Sequence, residues 1–167
     1  MSRDVSNAMR SAMFAQEADE VPICLLTITH DDLVEPFYFS SDPTRRISVD
    51  PLLYATASRG RDYLFLPFDF ILPQDEADAP QRVKLTMSNA DREMVSVVRS
   101  VSTPPKALVE VILAETPDLV EIAIPDLLMS EAVMSESDIV IELTADPLIN
   151  EPYPGRSFTP GSFPGLF

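Results

Sequence analysis

The side chains best able to do chemistry are few and scattered. Cys24 is the sole cysteine and His30 the sole histidine among the 167 residues. One thiol excludes an internal disulfide framework and any cysteine-ligated zinc or iron–sulfur centre within one chain. Cys24 lies in the apolar run Ile23-Cys24-Leu25-Leu26, the setting of a buried, inert thiol rather than a nucleophile. His30 closes that run and precedes Asp31-Asp32. It reads as a turn residue, because no second ligand or nucleophile stands at a spacing that would make it a metal ligand or a general base. Carboxylates are plentiful, but none has an acid–base partner at the spacing a hydrolase needs. A calcium loop of the DxDxDG kind is also missing. The chain is therefore read as having no catalytic, cofactor or metal residues, and not as an enzyme.

Charge says more about partners. The formal net charge is −15, which argues against nucleic acid and against an anionic membrane surface. Residues 1–106 carry 11 Lys+Arg against 16 Asp+Glu, whereas residues 107–167 carry one basic residue, Arg156, against 11 acidic ones. This asymmetry reads as a solvated acidic surface, as an acidic face that meets the arginine-bearing half of another subunit, or as a cation site. Arg45-Arg46 lies between the turn signals Asp42-Pro43 and Asp50-Pro51. It is either a surface pair or a contact to carboxylates of a neighbouring subunit. No run nears the ~20 apolar residues that span a bilayer, and no secretory signal opens the chain, so a soluble protein made in the cytoplasm is expected.

The elements that would position these residues are mostly strands. Leu108–Leu113, Leu119–Ile124 and Ile139–Thr144 are three strand-like runs, each with one glutamate (Glu110, Glu121, Glu142) among aliphatic residues. Period-two alternation predicts those glutamates facing solvent and their neighbours facing a core. Thr116-Pro117-Asp118 is turn chemistry and predicts a hairpin between the first two. Ile23–Thr29 and Val34–Phe39 predict an N-terminal hairpin. Leu52–Thr56 is a short strand candidate, followed by a turn over Ser58–Asp62. Tyr63–Leu72 reads as one strand or as two short pieces interrupted at Pro67, which cannot donate to a ladder and so sits at an edge or bulge. Gln81–Met87 alternates as another strand.

Two short helices complete the set. Val5, Ala8, Met9, Ala12 and Met13 form a stripe within Asp4 to about Ala15. Met94, Val97, Val98 and Val101 form a second, capped by Ser88 or Asn89 and ended by Thr103-Pro104-Pro105. Asp126–Met134 reads as irregular or extended.

From Asp146 the composition shifts to proline, glycine and phenylalanine. This segment cannot continue a sheet or helix for long, and it is too aromatic for a plain disordered linker. An extended arm over 146–167 is predicted, docking Phe158, Phe163 and Phe167 on a neighbour or back on its own domain. A pre-extended segment loses less entropy on docking.

The ending Tyr153-Pro154-Gly155-Arg156-Ser157-Phe158-Thr159-Pro160-Gly161-Ser162-Phe163-Pro164-Gly165-Leu166-Phe167, together with the opening helix and the N-terminal hairpin, resembles an uncharacterised family of tailed-bacteriophage proteins. Members of that family look like tail-tip or baseplate components. The resemblance implies a structural virion protein in a ring at the distal end of the tail. Its partners would be copies of itself and other tail proteins: the tail tube, the hub and a tip-attachment protein. It implies no catalytic residue. Some small tail-tip proteins hold an iron–sulfur cluster through several cysteines, which Cys24 alone cannot do.

The combined expectation is an α+β, mainly β fold. It has a β-sandwich or barrel-like domain over 1–145, with two short helices, and an extended C-terminal arm over 146–167. The partner-binding residues would be Tyr153, Arg156, Phe158, Phe163, Leu166 and Phe167 of the arm, with Arg45 and Arg46. The alternative is a carbohydrate- or receptor-binding β-sandwich module in the same virion.

Overall fold

The structure, a computed structural model, describes residues 5–15, 20–71, 82–88, 103–135 and 138–145. The chain order is α1 (Asn7–Phe14), β1 (Pro22–Thr29), β2 (Phe37–Ser40), β3 (Arg45–Val49), β4 (Leu52–Ser58), β5 (Arg61–Phe65), β6 (Phe68–Ile71), β7 (Arg82–Ser88), β8 (Lys106–Leu113), β9 (Val120–Met134) and β10 (Asp138–Ala145). All ten strands join one sheet, in the order β3-β4-β5-β2-β1-β8-β9-β10-β7-β6. Every neighbouring pair is antiparallel except β2 and β5. The fold is mainly β, with one short helix among the described residues.

The three runs around the glutamates are β8, β9 and β10, and they lie side by side near the middle of the sheet. Period-two alternation gives β10 its inward set Ile139, Ile141 and Leu143. These join Cys24, Leu26 and Ile28 of β1, Val83, Leu85 and Met87 of β7, and Val109 of β8 in one buried cluster. Leu66 and Phe68 belong to the same cluster. Leu66-Pro67 is all that separates β5 from β6, yet these strands stand third and last in the sheet. The sheet must therefore curl until its β6 edge approaches β2. The Leu66 N–H donates to the Ser40 carbonyl at 3.0 Å, just where the chain turns away.

The opposite face is also covered. Ile23, Leu25, Tyr63 and Ile112 form a second buried cluster there. Tyr38 meets Tyr63 edge-on at 5.3 Å between centroids. Helix α1 lies on the first face instead, resting by Met9 on Val111 and Leu113, which share the side of Val109 and Cys24. Ser6 caps it, its hydroxyl accepting from the Met9 N–H at 3.1 Å. Of the rest of the expected apolar stripe, Val5 packs partly buried beside Met9 and Ala12 is half-buried, whereas Ala8 and Met13 are exposed, and so is Phe14 beyond them.

Several expectations change. Glu110 and Glu121 do not face solvent; each is 5% exposed. Alternation assigned them to the face away from the main core, but that face carries a second packed layer. At Glu121 a bulge intervenes, since Val111 pairs with Ile122 and Ile112 with Val120. The extra residue re-aims its side chain, and Glu121 Oε2 accepts the Ser6 N–H at 2.7 Å. Residues 126–134 are not irregular but the second half of a 15-residue strand. Their alternation is reset at Pro125-Asp126, where Asp126 has φ +56. Arg45–Val49, for which no strand was expected between the two Asp-Pro turn signals, is a strand. The second hairpin strand begins at Phe37, and Val34 stands fully exposed in the preceding loop. The expected second helix over about 88–101, apart from Ser88 at the end of β7, and the arm over 146–167 lie outside the described residues.

Candidate association surface

Of the residues expected to bind partners, Tyr153, Arg156, Phe158, Phe163, Leu166 and Phe167 lie outside the described residues. Arg45 and Arg46 are exposed on β3, the first strand of the sheet order. Their roles differ. Arg45 forms an ion pair with Asp62, both side chains about half exposed. Arg46 lies opposite Tyr54 and has no ion pair among the described residues.

The surroundings of Arg46 carry the largest signal. β3 pairs only with β4, over Arg45–Val49 and Leu52–Ala55. β4 pairs with β5 only from Ala55 to Ser58. Leu52, Leu53 and Tyr54 therefore belong to a two-stranded ribbon that runs beyond the body of the sheet. Its tip turns at a cis Asp50-Pro51 bond. Ile47, Val49, Leu52, Leu53 and Tyr54 are all exposed on it, Val49 at 71% and Leu52 at 59%. A two-stranded hairpin is marginal in water on its own, and clustered exposed apolar side chains mark contact sites. Sequence reading missed this surface because Ser40–Pro51 looked like a polar segment between two Asp-Pro turns, so that Leu52–Thr56, a short strand candidate, had no partner strand before it. The signal present was Val49 and Leu52-Leu53 directly flanking an Asp-Pro turn.

The base of the ribbon is anchored. The Ser58 hydroxyl donates to the Pro117 carbonyl at 2.6 Å, and the Arg59 N–H donates to the Asp118 carboxylate. Arg59 then lays a bidentate ion pair on the buried Glu110, with Nη1 to Oε1 at 2.8 Å. The bonded carboxylate pushes the Arg59 guanidinium pKa up despite its partial burial. Arg59 has φ +50, and Gly60 follows at φ +74, which makes the tight β4–β5 turn that aims the guanidinium back over the sheet.

The chemically reactive side chains are occupied. His30 Nδ1 accepts the Asp32 N–H at 3.0 Å, and Nε2 lies 2.6 Å from Thr103 Oγ1. With Nδ1 accepting from that N–H, Nε2 is the ring nitrogen that donates to Thr103. Cys24 is fully buried, and burial pushes its thiol up to about 12. Among the described residues, no three His, Cys, Asp or Glu side chains gather as a metal site. No helix among them is long and apolar enough to cross a membrane.

A groove of about 550 Å³ opens at the other end of the same strands. β2 and β5 pair only through Phe39–Leu64 and Ser40–Phe65. Upstream of those pairs the groove is lined by Val34, Phe37 and Leu64, with Glu35 and Asp62 also on it.

No curated protein matches the chain. The family model described as a domain of unknown function, DUF1833, matches residues 8–116. That span covers more than half of the sequence and runs from α1 through β8, so it includes the projecting ribbon, the groove and the Arg59–Glu110 pair. The chain belongs to the DUF1833 family.

Proposed function

We propose that this protein is a structural subunit of a bacteriophage tail tip or baseplate. It would form a ring at the distal end of the tail and connect the tail tube to the hub or receptor-binding apparatus. It acts by assembly and performs no chemistry. The observation that carries this reading is the ribbon Arg45–Tyr54, which holds five exposed apolar residues away from the body of the sheet. The resemblance of the proline- and phenylalanine-rich ending to tail-tip proteins supplies the setting.

We also infer that the sheet closes as a barrel-like domain. β5, Leu66-Pro67 and β6 act as one bent strand, pairing with β2 by its first half and with β7 by its second. Full closure removes free edges from that part of the molecule. Of the two terminal strands in the sheet order, β3 and β6, β3 then stands outside the closed part, as expected of a subunit that associates through one chosen edge.

The test is the composition of the particle. An antibody against the chain, applied to tailed particles of a phage that encodes it, should place gold at the distal tip of the tail. Purified particles that lack the chain, while the lysate contains it, would overturn the reading.

A further inference from the structure

Resting on the assembly reading above, we propose that the ribbon Arg46–Tyr54 of one copy docks in the groove between β2 and β5 of the next copy. The two surfaces are complementary in placement. β4 runs antiparallel to β5, with Ala55 opposite Leu64 and Ser58 opposite Arg61. β2 runs parallel to β5, with Phe39 opposite Leu64. The ribbon tip at Val49–Leu52 therefore leaves one end of these strands, and the groove at Val34, Phe37 and Asp62 opens at the other. Within one chain the ribbon meets the groove through its base, where Arg45 pairs with Asp62, while the tip at Val49–Leu52 lies at the far end of the strands. Repeated copies joined this way make a heterologous, head-to-tail contact, which closes into a ring or grows as a filament.

They are also complementary in chemistry. The ribbon tip presents Val49, Leu52 and Leu53, and the groove presents Val34, Phe37 and Leu64. In a chain of net charge −15, copies repel one another over most of their surface. The stretch Arg46–Tyr54 holds one arginine and one aspartate and is locally neutral, so it approaches an acidic neighbour with little repulsion. Arg46 then faces the groove's Glu35, a pairing of opposite signs that fixes direction. The ribbon, marginal by itself, gains its missing packing on docking.

The experiment uses two full-length variants. Leu52→Asp with Leu53→Asp disables the ribbon. Val34→Asp with Glu35→Arg disables the groove, and all four positions are exposed. Unchanged far-ultraviolet circular dichroism establishes that each variant folds. Native mass spectrometry of each alone should show monomer where the unaltered chain forms oligomers. An equimolar mixture should give a one-to-one heterodimer, because one intact ribbon and one intact groove remain. A variant that keeps apolar packing guards against misfolding: Arg46→Glu should weaken association about tenfold or more, and Arg46→Glu combined with Glu35→Arg should restore it. A groove variant that assembles like the unaltered chain, while the ribbon variant does not, would overturn the groove as receiver and leave the ribbon as an association surface. A mixture that stays monomeric, or an unaltered chain that is monomeric, would overturn the head-to-tail contact itself. Neither result bears on whether the chain is found at the tail tip.

Discussion

Arg59 and Glu110 lie 51 positions apart in sequence and meet through two hydrogen bonds across the second face of the sheet. The Glu110 side chain is 7% exposed and that of Arg59 39%. The pair ties the β4–β5 turn to β8, and with it the base of the projecting ribbon. A buried carboxylate without its partner is costly, whereas replacing both members by apolar groups is not. Arg59→Met alone is expected to lower stability by about 2–3 kcal/mol, the usual cost reduced because Arg59 is partly solvated. Arg59→Met with Glu110→Leu should recover most of that loss. Urea denaturation of the three variants checks this, and additive losses would mean that the two residues are not coupled.

Helix α1 is held by the same kind of buried carboxylate. Glu121 Oε2 takes the Ser6 N–H, and Glu121 Oε1 has no hydrogen-bond partner among the described residues. Glu121→Ala should destabilise by about 1–2 kcal/mol, and Glu121→Gln by less, because an amide oxygen still accepts. Ser6→Ala should cost about 1 kcal/mol through the lost cap. Thermal melts monitored by circular dichroism measure all three.

Cys24 gives the stability a pH dependence on the alkaline side. Burial raises its thiol from 9.0 to about 12. A raised folded-state pKa contributes stability that is fully present below the unfolded value. That stability is lost as pH rises from about 9 towards 12. Stability should therefore fall over this window, and Cys24→Ala should flatten that part of the profile while lowering the plateau through lost packing. Iodoacetamide at about pH 8 should leave the folded thiol unmodified and alkylate it in urea.

The long strand β9 depends on one left-handed residue. Asp126 follows Pro125 at φ +56 and lets Leu127 and Met129 return to the core. Asp126→Gly should be tolerated, and Asp126→Val should cost about 1–2 kcal/mol because a β-branched side chain clashes in that conformation. Chemical denaturation of both variants tests it.

These residues also show where sequence was enough and where it was not. The runs now forming β8, β9 and β10 were legible because β-branched residues alternate between clear turn signals. Cys24 was legible as a buried thiol because it stands inside an unbroken apolar run. A break at Pro67 was one of two readings open in the sequence, but its consequence was not legible: the two strands joined by Leu66-Pro67 stand third and last in the sheet order. Glu110 was misassigned because alternation gives only the side of a strand and is silent on whether Arg59 arrives there from elsewhere. Glu121 was misassigned because the bulge opposite Val111 and Ile112, which alternation does not show, re-aims it towards Ser6. Arg45 and Arg46 were singled out as a pair, yet only position within the ribbon separates the one bound to Asp62 from the one at the exposed apolar arm. The ribbon itself was hidden because an exposed strand rich in valine and leucine has the same composition as a buried one.

The most direct measurement is the native mass of the full chain at tens of micromolar, beside that of the Leu52→Asp, Leu53→Asp variant. The unaltered chain should form a discrete oligomer and the variant a folded monomer. Equal masses for the two would contradict the ribbon as the surface through which this protein assembles.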